Sequence, residues 1–188
     1  MSLPSELRPF VLIRWQRRAG TAAADYRFVA HDAGSRLCCL YDLSQSERSR
    51  FPRLDIVPET VIVSAFGRAL TVIHADPVTH AHGKAVLSQA EQQSWDRAWR
   101  IMRALLAPDA FGIGMAQGRA RHAIFLDPKE RRHRFVAVAA RYRVTEHVVA
   151  MIFARFLRFG GTREAVRPRV VRCGGRVTHW RKSGPSPC

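Results

Sequence analysis

Acidic residues are scarce in this chain: 15 Asp and Glu stand against 31 Lys and Arg, a formal net charge of +16 over 188 residues. Such an excess argues against cationic partners and points to polyanions. Long apolar runs are missing too. No stretch approaches the ~20 residues that a membrane-spanning helix needs. The opening MSLPSELRPF has no basic start followed by an apolar core, so neither a span nor a secretory leader is expected. The cysteines are Cys38, Cys39, Cys173 and Cys188, with no CxxC pair to hold zinc. Adjacent Cys38 and Cys39 should point to opposite faces of a strand, and a reducing, cytoplasmic setting is expected. His74, His80 and His82 lack further ligands at useful spacing, so no metal and no cofactor are expected. GIGMAQG has no strand before it and no GK[ST] after it, which excludes a phosphate loop. No Ser/His/Asp or Cys/His set is identifiable, and Asp42, Asp55 and Asp76 lie in or beside loops without a supporting pattern. An enzyme is the weakest class, and no small-molecule substrate is expected.

What is present is arginine, unevenly placed. From Arg119 onward there are 17 bases and 4 acids, a balance of +13, whereas the first 118 residues carry 14 bases and 11 acids, only +3. Nearly all the bases are arginine, whose planar fork suits phosphates and guanine edges.

Residues 1–76 read as a small β-rich domain. FVLIRW, YRFVA, RLCCLYDL, TVIVSAF and ALTVIH are short strand candidates, with His31-Asp32-Ala33-Gly34 supplying a hairpin turn and SQSERSRFPR a loop. A small antiparallel barrel or curled sheet is expected. Residues 77–168 read as a helical domain, which makes the fold class α+β. Ser88 and Glu91 form a capping box for a helix carrying Trp95, Ala98, Trp99, Met102 and Leu106 on one face. The basic tail, 169–188, is expected to be extended or disordered.

Within the helical part, residues of about 128–159 have helix-turn-helix spacing. Asp127-Pro128 opens the first helix, with Pro at the position where its missing N–H costs nothing. Phe135, Val138, Ala139 and Tyr142 make its apolar stripe. Arg143 and Val144 form the turn, and Thr145 caps the second helix, whose stripe is Val148, Val149, Ile152, Phe153 and Phe156. Plain helical packing has the same spacing, and the charge favours DNA. In a DNA-binding reading the second helix enters the major groove N-terminus first. Glu146, His147, Ala150, Met151 and Arg155 are expected on its outer face. Thr145, His147 and Met151 are the candidates for base contacts, and Arg141, Arg143, Arg155, Arg158 and Arg163 those for phosphate contacts.

VTEHVVAMIFARFLRFGGTREAVRP…RCGG then resembles the pattern that follows the helix-turn-helix in TnsB-like transposases, of the Mu-type group of the retroviral-integrase superfamily. Val144-Thr145 stand for the family's V-S, Val148-Val149 for T-(V/I), and Arg155-Phe156-Leu157 for R-Y-W. Gly160, Thr162, Ala165, Pro168 and Cys173-Gly174-Gly175 match as they are. SWDRAWRIMRALL and YRFVAHDAGSRLCCLYDL are also similar to the family, so the likeness spans about residues 25–176, with G-x-T…CGG its distinctive part. Val166 and Arg167 replace a leucine pair, Val170 an aromatic, and Arg143 the turn glycine. The resemblance implies sequence-specific binding of double-stranded DNA at transposon ends, with other transposase subunits as partners. It also implies that the catalytic domain, whose three carboxylates hold two Mg²⁺, is absent from this sequence. The alternatives are a stand-alone helix-turn-helix regulator and an inhibitor of an intact transposase.

Overall fold

The computed structural model describes residues 2–45, 51–75, 86–107 and 123–168. His80 and His82, the GIGMAQG segment, the CGG motif and the basic tail lie outside these residues.

Five antiparallel strands form an open sheet: β1 Val11–Trp15, β2 Ala24–Asp32, β3 Leu37–Asp42, β4 Leu54–Pro58 and β5 Leu70–Ile73, in the order β4-β3-β2-β1-β5. The sheet does not close into a barrel, since β4 and β5 are its two edges. β2 and β3 are buried on both faces, and Cys38 and Cys39 fall into different core clusters as alternation requires. A bulge at Val29 shifts the β2–β3 register between Phe28 and Ala30, so Val29 and Ala30 both join the helical side of the core.

One face of the sheet is covered by α1, Glu59–Ala65. TVIVSAF, a strand candidate by composition, is helical instead, and the neighbouring strand β4 occupies Leu54–Pro58. β-Branched residues only weakly resist a helix. Here Ile62, fully buried, closes the core over Ile13, Phe28, Cys38 and Leu70. Packing of that face overrides local preference.

The other face packs on three helices: α2 Gln89–Leu106, α3 Pro128–Tyr142 and α4 Glu146–Arg158. Val29, Ala30, Cys39 and Tyr41 from the sheet share one core cluster with Ile101, Met102, Phe135, Val138, Val149 and Phe153. The fold is therefore α+β, with sheet and helices joined through common apolar contacts. The capping box at Ser88 and Glu91 is present, as are the Asp127 and Thr145 caps. After α4, Gly160 and Gly161 take positive φ, and a 3₁₀ turn follows at Glu164–Val166. Phe10 wedges beside this exit: its ring meets Phe156 edge-on at 5.2 Å, and a Cβ on Gly161 would run into it.

Candidate nucleic-acid interface

The α3–α4 connection is a Schellman turn. Val144 N–H donates to Ala139 O at 3.0 Å and Arg143 N–H to Ala140 O at 3.3 Å. Arg143 takes φ 51° and ψ 52°, the left-handed conformation in which glycine is usual. Thr145 then turns the chain into α4, its Oγ1 accepting from Val148 N–H at 3.3 Å. Arg141, Arg143, Thr145 and His147 are all exposed around this corner.

Further along α4 the outer face narrows. Val149, Ala150, Phe153, Ala154, Phe156 and Leu157 are buried. Ala150, expected outside, is in the core, because the helix is flanked by neighbours on two sides. Met151 is half-buried. What α4 offers a partner is chiefly its first turn.

The arginines divide into two groups. Many donate to backbone carbonyls at helix ends. Arg27, buried on β2, donates from Nε to Arg158 O at 2.9 Å, at the C-terminus of α4. Arg97 donates to Tyr142 O at 3.0 Å at the end of α3. Arg134, ion-paired to Glu130 at 2.6 Å, reaches Leu105 O and Ala107 O at the end of α2. Arg131 bonds Ile124 O and Phe125 O, both at 3.1 Å, at the end of the helical turn 123–126. Each places a cation where a helix presents unbonded carbonyls and the negative end of its dipole. Burial lowers the Arg131 pKa, while Cys39 and Asp127 oppose that shift.

Three of the expected phosphate contacts are likewise engaged inside the chain. Arg155 donates to Arg167 O at 2.7 Å and Arg158 to Gln45 O at 2.9 Å. Arg163 pairs with Asp96 at 2.5 Å, its guanidinium 4.7 Å from the Trp95 ring centroid. The resulting network ties α4 and the turn after it to α2 and to the β3–β4 connection.

The second group stays outside. A groove of about 1120 Å³ opens beside the α4 N-terminus, where Thr145, Glu146 and His147 face Arg131 and Arg132 of α3 and residues 51–55 around the start of β4. Its apolar part is Phe51 stacked on Phe135, ring centroids 6.3 Å apart. Arg53 and Arg132 are exposed on its lining, and neither makes an ion pair among the described residues. Asp55, also on the lining, is held by Arg17 at 2.7 Å. Arg53 and Arg132 were not among the residues singled out from sequence. Arg53 belongs to the β half, and only the fold brings it to α4; a surface arginine in a basic helix gives no local signal to mark Arg132.

Among the described residues, no group of three metal-ligating side chains is present, and no helix is long and apolar enough to cross a membrane. Cys38 and Cys39 are free thiols in the core. Burial, aided by the Glu59 charge, pushes Cys38 up to about 11; burial pushes Cys39 to about 12 despite Arg131. Thiolate chemistry at neutral pH is disfavoured at both. His31 and Arg36 lie 3.1 and 3.5 Å from the buried Glu59 carboxylate at the start of α1. In a comparison with known proteins, the chain matches no family model and no curated protein sequence.

Proposed function

We propose that this chain binds double-stranded DNA sequence-specifically, as the transposon-end-binding region of a TnsB-like transposase does. In this reading α3 and α4 act as a helix-turn-helix, and the first turn of α4 enters the major groove. The observation that carries it is the exposed α4 N-terminus, where Thr145 and His147 stand among guanidiniums that the fold leaves outside. Thr145, His147 and Met151 then meet base edges or thymine methyls, and Arg141 and Arg143 meet phosphates. Arg155 and Arg158 tie α4 to neighbouring backbone carbonyls, and Arg163 pairs with Asp96 at the surface. Strand cleavage and joining belong, in this reading, to a catalytic domain outside the 188 residues, and no cofactor or metal is used. The setting is cytoplasmic, with other transposase subunits as further partners.

Selection of binding sites from random duplexes tests the proposal. Wild-type protein should enrich a defined sequence, and His147→Ala or Met151→Ala should flatten preference at one or two adjacent positions. Failure to enrich any sequence, with DNA bound equally by all variants, would refute specific readout.

A further inference from the structure

The groove beside α4 has walls from both halves of the protein, and this bears on how a duplex is held. A helix in the major groove, ≈ 12 Å wide, is flanked by a phosphodiester strand on each side. Arg141, in the last turn of α3, and Arg143, in the α3–α4 connection, are not on the groove lining. The lining instead carries Arg53 from the residues leading into β4 and Arg132 from α3, both exposed and neither ion-paired among the described residues. Of its two carboxylates, Asp55 is offset by Arg17, which leaves Glu146 as the one that opposes an anion directly. Nothing internal accounts for Arg53 and Arg132, in contrast with Arg27, Arg97, Arg131 and Arg134, which all bond helix-end carbonyls.

We propose that this groove seats the phosphate backbone of one DNA strand, with Arg53 just before β4 and Arg132 of α3 each neutralising a phosphate. The inference rests on the DNA-binding reading and extends it: the β-rich half becomes part of the interface, and the duplex is held by the turn arginines on one strand and the groove arginines on the other. A phosphodiester chain needs no base pocket, only guanidiniums set along a channel, and the mixed lining with an aromatic floor provides that.

The test is a fluorescence-anisotropy titration of the full chain with a mixed-sequence duplex of two to three helical turns, over a range of salt. Each lost phosphate contact reduces the slope of log K against log salt by ~0.9, equivalent near 0.1 M salt to roughly a tenfold loss of affinity. The double variant Arg53→Ala, Arg132→Ala should therefore flatten the slope by ~1.8, and Arg53→Lys, Arg132→Lys should restore most of it. Circular dichroism and melting should match wild type, because both side chains are exposed. An unchanged slope in the alanine variant, with Arg143→Ala still flattening it, overturns the groove assignment and leaves the DNA reading standing. No binding by wild type at low salt removes both. If polyglutamate binds wild type and not the double variant while the DNA slope is unchanged, the groove belongs to an acidic protein partner and the strand assignment is wrong.

Discussion

Replacing Arg143 with glycine should stabilise the protein and, on the proposed DNA-binding reading, weaken binding of duplex DNA. Arg143 occupies the left-handed region at φ 51°, ψ 52°, where an L-residue brings its Cβ against the following carbonyl. That conformation costs about 1–2 kcal/mol for a residue other than glycine. Glycine removes the clash but returns about 0.5–1 kcal/mol through the greater freedom of the unfolded chain. The net gain is about 0.5–1 kcal/mol, a rise in Tm of roughly 1–4 °C for a chain of this size. Arg143→Ala is the informative partner. It deletes the same guanidinium but keeps the left-handed strain, so its melting temperature should stay near wild type. The two variants should lose DNA affinity equally, by roughly tenfold near 0.1 M salt if one phosphate contact is removed. Thermal melts followed by circular dichroism read the first effect and anisotropy titrations the second. A glycine variant that melts below the alanine variant would refute the strain argument. Unequal DNA affinities would show that the turn's conformation, rather than its charge, governs binding.

Other consequences follow from particular contacts. Arg27→Leu removes the donor to Arg158 O and Phe10 O from a site with 1 % exposure and should cost about 2–3 kcal/mol, measurable by urea unfolding; a loss under about 0.5 kcal/mol would mean water replaces it. At Glu59, burial raises the carboxyl pKa, but the hydrogen bond from His31 and the Arg36 charge outweigh it, and the net pKa lies below the ordinary 4.5. The unfolded chain then binds more protons, so this contribution is complete above pH 4.5 and is lost as pH falls through the folded value. Glu59→Gln should remove that part of the acid dependence of urea midpoints, and an identical acid limb in the variant would contradict the assignment. Cys38 and Cys39, with thiols raised to about 11 and about 12, should resist iodoacetamide in the native protein and react once it is unfolded; peptide mapping that finds either alkylated under native conditions would show that the sheet opens.

Much of the local structure was legible because it rests on short-range chemistry. Asp127 before Pro128, Ser88 three residues before Glu91, and Thr145 after the Arg143-Val144 turn each bond to the backbone next to them, and all three start helices as expected. The strand pattern around Cys38 and Cys39 was equally readable, since alternation alone assigns the two faces. What was hidden depends on distant partners. TVIVSAF has strand-like composition, yet it is a helix because one face of the sheet needs a cover and Ile62 supplies it. Ala150 looked like part of an outer face until a second neighbour buried it. Net charge does not distinguish one arginine from another. Arg131, Arg134, Arg155 and Arg158 instead meet carbonyls, some far away in sequence, and the guanidiniums left outside are fewer. Arg53 reaches the α4 N-terminus only through the tertiary fold, which no local pattern encodes.

If exposed arginines bind a DNA duplex, as proposed, the affinity falls steeply as salt rises. With Arg53, Arg132, Arg141 and Arg143 each releasing one counterion, the slope of log K against log salt should be about −3.6 or steeper, if the basic residues after 168 also take part. A slope flatter than about −1, or no binding of duplex at low salt, would contradict the account.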